Sequence, residues 1–234
     1  MKSCASQLSV VFSQLFTWSL KENILPFICK TSVFCPVRKI PNPSCLKDYR
    51  PTALTSIVMK CFERIILHQP MKHMKFHLDP YQFALQEQQK HRKDATLTLL
   101  HNVYTHLEKN KTKTGSFVRI LFIDFSYASN SIQPHLMASK ILKLDVNPRL
   151  ILWIVDFLVS RSQTVRHQAA LSSSRSISTG SPQGTVLSPI LSTVYTNDCT
   201  GTGTTTNIKY SDDSAIEDLP NSDSVYFTVY FCLS

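Results

Sequence analysis

The sequence has no uninterrupted apolar run of about 18 residues, the length that a membrane-spanning helix requires. Its most apolar N-terminal piece, residues 8–20, is interrupted by Ser13, Gln14 and Thr17, and no small-residue cleavage site follows it. We therefore expect neither a membrane span nor a signal peptide, and no membrane partner.

Paired cysteines are also missing. The seven cysteines are odd in number and scattered, and no two of them form a Cys-x-x-Cys pair. This spacing suits neither a structural zinc site nor a disulfide framework. We therefore expect a reducing intracellular location, in the cytoplasm or the nucleus.

Acidic residues are scarce relative to basic ones: 16 Asp and Glu against 25 Lys and Arg give a formal net charge of +9. Ten of the basic residues lie between Lys60 and Lys113, together with six of the eight histidines. An excess of this size is compatible with ordinary solubility. Its concentration in one stretch favours a polyanionic partner such as nucleic acid.

What is present indicates a folded α+β protein. The 234 residues are 43% hydrophobic, with thirteen phenylalanines, which is enough for a sizeable core. Apolar periodicity predicts helices over residues 5–21, 56–69, 95–107, 134–144 and 148–159. β-branched and aromatic runs predict strands over residues 31–38, 116–125, 163–168 and 174–178, and a hairpin over residues 207–216.

The helical periodicity also predicts which side chains are buried. In the helix over 56–69 the apolar positions are Ile57, Val58, Cys61, Phe62, Ile65 and Ile66, so we expect Lys60, Glu63 and Arg64 to be solvated. In the helix over 95–107 the stripe runs through Leu97, Leu100, Val103, Tyr104 and Leu107. In the helix over 148–159 it comprises Trp153, Ile154, Phe157 and Leu158, with Asn147 as N-cap.

Three aspartates form the first candidate site. Asp212 and Asp213 stand where the predicted hairpin turns, and Asp124 lies near the end of the apolar strand over 116–125. If the two strands are neighbours in one sheet, the three carboxylates converge and repel one another unless a divalent cation lies among them. Mg²⁺ prefers oxygen ligands of this kind. The alternative, a solvated turn with two acids, is the ordinary reading of an isolated Asp-Asp pair.

Two further segments carry candidate binding residues. Arg50 precedes Pro51, which holds it extended, and its planar guanidinium suits a phosphate; a surface ion pair with Asp48 is the alternative. In the segment Thr179–Pro189, two glycines bracket a Pro-Gln pair. Such a segment allows a flat ligand to approach the backbone closely, although an ordinary loop before a helix would read the same way.

Taken together, these segments resemble the reverse transcriptase domain of non-LTR retrotransposons, over about residues 5–218. Residues 45–51 with 59–64 are similar to the fingers region, and residues 121–126 to the first palm motif. Residues 179–189 are similar to the motif Gly-x-Pro-Gln-Gly-x-x-Leu-Ser-Pro, and Tyr210–Asp213 to the aromatic-Ala-Asp-Asp box. Any one of these motifs is weak by itself, but all four occur in the family's order.

The resemblance implies the right-hand polymerase fold and RNA-directed DNA polymerase activity, a nucleotidyl transfer. Fingers with an N-terminal helix would occupy residues 1–115. A palm, with an antiparallel sheet and packed helices, would occupy residues 116–219. Residues 220–234 match neither later palm motifs nor a thumb, so we expect the thumb to be absent. The implied partners are an RNA template, a DNA primer and deoxynucleoside triphosphates, and a partner that supplies a thumb stays an open alternative.

The resemblance also implies the roles of individual residues. Asp124 and Asp212 would be the principal ligands of two Mg²⁺ ions, with Asp213 beside them and the backbone carbonyl of Phe125 assisting. The nucleotide-binding residues would be Arg50 at the triphosphate, Gln183 and Gly184 at the templating base pair and the nucleotide, Ser129 at the position that discriminates the sugar, and Phe125.

Several positions depart from the family pattern. Ser129 stands where the family places an aromatic residue that excludes a 2′-hydroxyl, and Ser211 replaces the alanine of the Asp-Asp box. The arginine-bearing segment after Ala84 is scrambled over residues 85–89. These features are typical of a truncated, partly degenerate copy. The alternatives are a catalytically inactive remnant that only binds nucleic acid and, less in keeping with the Pro-Gln-Gly segment, an unrelated metal-dependent phosphoryl-transfer enzyme.

Overall fold

The computed structural model describes residues 4–68, 78–84, 91–111, 117–125 and 130–219, and the backbone of residues 228–233. The chain divides into two compact units, each built from two separate stretches. The first unit comprises residues 1–74 and 129–191, and the second comprises residues 75–128 and 192–234. The division into fingers and palm near residue 115 stays a prediction.

Helices and strands alternate irregularly, which confirms the mixed α and β composition. The helices described are α1 (Ala5–Glu22), α2 (Phe27–Lys30), α3 (Ile57–His68), α4 (Arg92–Lys109), α5 (Pro134–Leu142), α6 (Pro148–Leu158) and α7 (Ser188–Tyr195). The strands are β1 (Thr31–Arg38), β2 (Tyr49–Leu54), β3 (Arg119–Asp124), β4 (Arg161–His167), β5 (Ala170–Leu171), β6 (Arg175–Ile177), β7 (Thr205–Tyr210), β8 (Asp213–Asp218) and β9 (Thr228–Leu233).

The first unit contains a five-stranded sheet in the order β2-β1-β4-β5, with β6 also paired to β4. β1 is antiparallel to β2 and parallel to β4. β2 is therefore an edge strand, and this position tolerates Pro51, which cannot donate to a ladder.

Aromatic stacking holds the helices of the first unit together. Phe16 of α1 stacks on Phe62 of α3 with ring centroids 4.2 Å apart, and Phe62 meets Trp153 of α6 edge-on at 5.0 Å. The indole nitrogen of Trp153 donates to the hydroxyl of Ser19 at 3.0 Å, so its one polar atom is satisfied. The predicted stripe of α6 is confirmed, and the side chain of Asn147 caps the helix by accepting from the Arg149 amide at 2.9 Å.

The predicted buried face of α3 is wrong by about one position. The buried residues are Met59, Phe62, Glu63 and Ile66, at the spacing i, i+3, i+4 and i+7, whereas Ile57 is exposed. Glu63, expected to be solvated, is fully buried. The apolar pattern alone could not place the face correctly because one of its four members is a carboxylate whose partners lie far along the chain.

The predicted stripe of α4 is also displaced. Ala95, Leu99 and Val103 are buried, whereas Leu97 and Tyr104 are 61% and 70% exposed. Both stripes share Val103, but the buried positions are spaced four residues apart, whereas the predicted stripe also includes Leu100, which is 44% exposed.

The second unit contains a four-stranded sheet in the order β7-β8-β3-β9. The predicted hairpin is confirmed, since β7 and β8 are antiparallel, and β3 is antiparallel to β8. The prediction that the whole sheet is antiparallel is wrong for one strand, because β9 runs parallel to β3. The core lies between this sheet and α4 and consists of Phe83, Ala95, Leu99, Val103, Val118, Ile120, Ile208 and Ala215.

None of the described helices combines the length and apolarity that crossing a bilayer demands.

Candidate functional site

Asp124, Asp212 and Asp213 lie at one end of the sheet of the second unit. Asp124 at the end of β3 is the direct backbone partner of Asp213 at the start of β8. The amide of Phe125 donates to the backbone carbonyl of Asp212 at 3.1 Å, which fixes the hairpin turn beside the end of β3. The expectation that the two strands are neighbours is therefore confirmed.

The hairpin turn itself is conformationally costly. Tyr210 pairs with Asp213, so Ser211 and Asp212 form a two-residue turn. Ser211 has φ 59°, a left-handed conformation that favours glycine and asparagine. Asp124 and Asp212 are exposed, and Asp213 is half-buried.

Arg92 is a neighbour of the acids that the sequence patterns did not indicate. Its guanidinium donates to one carboxylate oxygen of Asp213 at 3.0 Å. The two side chains are 74% and 48% exposed, so the ion pair is weak and easily exchanged. No local signal connects residues 121 positions apart, and only the pairing of α4 with the sheet brings them together.

A cavity of about 230 Å³ opens beside these side chains. Its floor is apolar and includes Ala95, Leu99 and Ile208, while Arg92, Asp124 and Asp213 are among its polar lining. The three charged groups thus lie at one cavity in the second unit.

The donor chemistry of the acids fits a hard divalent cation. Carboxylate oxygens, with a backbone carbonyl available at Phe125, are the ligand types that Mg²⁺ takes. Within the described part of the chain, however, no three Asp, Glu, His or Cys side chains are arranged to hold a metal ion. Carboxylates that lack a cation repel one another, and Asp213 is paired with Arg92, so the metal-ligand assignment stays a prediction.

A buried lysine supports the hairpin from behind. Lys209 of β7 is almost fully buried and pairs with the carboxylate of Asp79 at 2.7 Å. Its ammonium also donates to the carbonyls of Thr196, Asn197 and Cys199, at 3.0–3.2 Å. The ammonium of Lys209 is thus surrounded by hydrogen-bond acceptors, which connect β7 to two loops of the same unit.

The remaining candidate residues belong to the first unit. Arg50 is exposed on the edge strand β2. The carboxylate of Asp48, its alternative partner, accepts from the backbone amides of Ser44 and Cys45 at 2.7 and 2.9 Å. The bonds from Cys45 and then Ser44 hold the pKa of Asp48 below its usual value.

Gln183 and Gly184 form a tight turn docked on the same edge strand. The amide of Thr185 donates to the carbonyl of Pro182 at 3.3 Å, and the carbonyl of Gln183 accepts from the amide of Ala53 at 2.8 Å. Gly184 has φ 94°, and a Cβ there would lie 3.3 Å from the carbonyl oxygen of Ala53. The backbone conformation therefore favours glycine, and a side chain would also crowd the Ala53 carbonyl.

The predicted site residues thus form two groups. Asp124, Asp212, Asp213 and Phe125 come together in the second unit, and Arg50, Gln183 and Gly184 lie along or beside β2 in the first. Ser129, the expected sugar-contacting residue, lies outside the described residues.

Comparison with known sequences points to one family. Residues 40–217 match the family model described as reverse transcriptase (RNA-dependent DNA polymerase). The chain is 28% identical to the RNA-directed DNA polymerase from mobile element jockey of Drosophila melanogaster. That alignment covers 86% of this chain and 22% of the relative, so the chain spans about a fifth of the length of this relative.

Comparison with solved structures agrees on the fold. A telomerase from Candida tropicalis, in complex with a fragment of telomeric RNA, superposes with a TM-score of 0.55 at 11% identity. The match covers 94% of this chain and 40% of that one. A telomerase from Candida albicans gives a TM-score of 0.53 at 12% identity, over 90% of this chain and 42% of that one.

Proposed function

The chain belongs to the reverse transcriptase family of RNA-dependent DNA polymerases, and from that premise we propose that it extends a DNA primer by copying an RNA template. In this reaction the primer 3′-hydroxyl oxygen attacks the α-phosphorus of a deoxynucleoside triphosphate. A new phosphodiester bond forms, the bond to pyrophosphate breaks, and the hydroxyl proton is lost to solvent.

The observation that carries this proposal is the backbone pairing of Asp124 with Asp213 beside the turn that holds Asp212. This arrangement supports a role for the three aspartates as ligands of two Mg²⁺ ions, with the carbonyl of Phe125 assisting. When bound, the two ions would lower the pKa of the attacking hydroxyl and stabilise the leaving pyrophosphate.

The first unit would supply the nucleotide contacts. Arg50 projects from an extended segment, and its guanidinium would bind the triphosphate of the incoming nucleotide. Gln183 and Gly184 would support the templating base pair, and Ser129 would lie at the sugar. The docking of their turn on β2, the strand that bears Arg50, supports this assignment.

The proposal extends to the architecture and the location of the chain. Residues 1–115 would act as fingers and residues 116–219 as palm. The RNA template and DNA primer would bind to the basic residues between Lys60 and Lys113. We further propose a cytoplasmic or nuclear location. The free thiols of Cys29, Cys35, Cys45, Cys61 and Cys199 support this location, because a reducing compartment keeps thiols from forming disulfides.

Primer extension tests the function directly. The purified chain, a primer annealed to an RNA template, deoxynucleotides and Mg²⁺ should give extended product. Asp212→Asn should abolish that product, since a neutral amide does not offset the charge of two dications. Asp198→Asn, at an exposed aspartate of the same unit outside the proposed site, is the matched control and should extend normally.

A binding measurement distinguishes a chain that binds primer–template without extending it from one that does not bind it at all. If the wild-type chain binds primer–template with an affinity that falls steeply with salt but never extends it, the inactive remnant is the better description. Absence of both extension and salt-dependent binding would overturn the proposal and its alternative together.

A further inference from the structure

The segment that carries Gln183 and Gly184 is held at its beginning by a buried arginine. We define this segment, Thr179–Ser188, as the Pro-Gln-Gly loop. Arg161 at the start of β4 is only 6% exposed, and its guanidinium donates to the carbonyl of Leu158 at 3.1 Å. The same side chain donates to the carbonyl of Gly180 at 2.8 Å and to that of Thr179. Burial lowers the pKa of Arg161 to about 10, so it is still charged at neutral pH.

A buried glutamate holds the other end of the loop. One carboxylate oxygen of Glu63, fully buried on α3, accepts from the amides of Val186 and Leu187 at 2.5 and 2.9 Å. These two amides immediately precede α7, where backbone donors have no partner within a helix. Glu63 therefore acts as a helix cap supplied from another helix, 123 positions away.

Hydroxyl groups fix the middle of the loop. The carbonyl of Pro182 accepts from the hydroxyls of Ser188 and Thr185 at 2.6 and 3.0 Å. The hydroxyls of Ser181 and Ser188 are 2.5 Å apart. The turn at Gln183 and Gly184 thus lies between a buried arginine, a buried glutamate and a small hydroxyl cluster, and it docks on the amide of Ala53.

Burial of the ionisable side chains of Arg161 and Glu63 costs desolvation free energy, so it is an inefficient way to stabilise a fold. Replacement of buried ionic groups by apolar residues of similar volume is often neutral or stabilising, whereas removal of one partner from a buried pair is costly. Arg161 and Glu63 each direct most of their described contacts to the backbone of one loop. The contacts of Arg161 and Glu63 therefore fix the position of the backbone of the Pro-Gln-Gly loop.

We propose that Glu63 and Arg161 are positioning residues that fix the Gln183–Gly184 turn against β2 and thereby set the affinity of the site for the incoming nucleotide. This inference rests on the proposed function, because it assigns the turn to the nucleotide. Neither residue touches the reacting atoms. Their loss should therefore change the Michaelis constant for the nucleotide more than the turnover rate.

The experiment compares Glu63→Leu and Glu63→Gln in the full chain. Leu removes both acceptor oxygens, whereas Gln keeps one and is the conservative rescue. The control is Asp156→Asn, because Asp156 also accepts a backbone amide in the first unit, that of Leu25 at 2.7 Å, but does not contact the loop. Arg161→Lys serves as the second probe, since Lys keeps the charge without the planar fork that reaches several carbonyls.

Two readouts are taken. Steady-state primer extension gives KM for the deoxynucleotide and kcat, and hydrogen exchange detected by mass spectrometry follows peptides that cover residues 181–190. We expect Glu63→Leu to raise KM about tenfold, because the hydrogen bonds from the amides of Val186 and Leu187 are both lost, with a smaller effect on kcat. Exchange should accelerate in the loop peptides, Glu63→Gln should recover most of both effects, and Asp156→Asn should produce neither.

The inference is overturned if Glu63→Leu leaves loop exchange and KM unchanged, or if Asp156→Asn changes them equally. Should Glu63→Leu fail to fold, Glu63→Gln and Arg161→Lys decide the question by the same two readouts. If the wild-type chain shows no extension, the proposed function fails. Hydrogen exchange then still decides whether these residues position the loop: acceleration confined to residues 181–190 supports it, and uniform acceleration contradicts it.

Discussion

The Pro-Gln-Gly loop of the first unit and the aspartate hairpin of the second unit (β7 and β8) carry separate groups of the proposed functional residues, and their backbones are held in different ways. The loop is fixed from outside by buried Arg161 and Glu63, and many of its polar backbone atoms have protein partners. In the hairpin, Lys209 is buried behind the tip and the Phe125 amide donates to the carbonyl of Asp212, while the Asp212 side chain is exposed and Asp213 has a surface ion pair with Arg92.

This contrast follows from what each segment is proposed to bind. A backbone turn that recognises a base pair by shape can be set in place by the protein alone. Clustered carboxylates cannot, because their mutual repulsion is removed only by the cation that they bind. We therefore expect the tip of the hairpin to adjust its position more readily than either the base of the hairpin or the Pro-Gln-Gly loop.

The largest expected effect is on the tip of the hairpin. Asp124→Asn should lower the rate of primer extension about a thousandfold while leaving the fold intact, because an exposed carboxylate contributes little to stability but much to metal-assisted chemistry. Extension rates with Mg²⁺, together with circular dichroism, measure both quantities.

Asp145→Asn provides the comparison for that variant, since Asp145 lies in the first unit outside the proposed site. Equal activity of Asp124→Asn and the wild-type chain would remove Asp124 from the mechanism. A loss of folded signal in Asp124→Asn would show that the tip is not as independent of the fold as we argue.

The second effect tests the rigid base. Lys209→Met leaves the buried carboxylate of Asp79 without its cation, and we expect the free energy of unfolding to fall by about 3–5 kcal/mol. Urea denaturation measures it. Arg92→Ala breaks the exposed ion pair to Asp213 and should cost no more than about 1 kcal/mol. Similar losses for the two variants would contradict the distinction between base and tip.

Local features of both segments could be predicted from sequence. The hairpin, the strand that ends at Asp124 and the N-cap at Asn147 depend on residues close together in the chain, and the structure confirms all three. The family resemblance, which rests on four motifs in order, is confirmed as well, since residues 40–217 match the reverse transcriptase family model.

The supports of both segments could not be predicted. Glu63 meets its partners 123 and 124 positions away, and Arg92 meets Asp213 across 121 positions. Charged residues within an amphipathic pattern are ordinarily solvated, so the pattern predicts an exposed side chain for Glu63. The parallel pairing of β9 with β3 likewise depends on tertiary contacts that no local pattern encodes.

A smaller, pH-dependent effect concerns the interior of the second unit. Glu217 on β8 is fully buried, and burial raises the pKa of its carboxyl above 4.5 despite bonds from Asn102 and Thr206. The folded state therefore binds the proton more tightly than the unfolded state. Stability contributed by the protonated group is present below pH 4.5 and is lost as the pH rises through the folded-state pKa.

Glu217→Gln removes this titration. We expect the wild-type chain to lose stability relative to the variant as the pH rises from 4.5 toward neutrality, and urea denaturation at several pH values measures the difference. Asp218→Asn, on the same strand and only partly buried, is the control. A difference between wild type and Glu217→Gln that is constant with pH would show that burial of Glu217 does not perturb its protonation.

The smallest effect lies at Ser211, the first residue of the two-residue turn between Tyr210 and Asp213. Ser211 has φ 59°, where a residue with a Cβ is disfavoured by about 1–2 kcal/mol and glycine is not. Glycine also loses more backbone freedom on folding, at a cost of about 0.5–1 kcal/mol, so Ser211→Gly should raise the free energy of unfolding by only about 0.5 kcal/mol. Ser211→Ala keeps the Cβ and should change little, which makes it the matched control. A destabilised Ser211→Gly would mean that the serine hydroxyl, rather than the backbone, determines this turn, and the tip would then be less adjustable than its exposure implies.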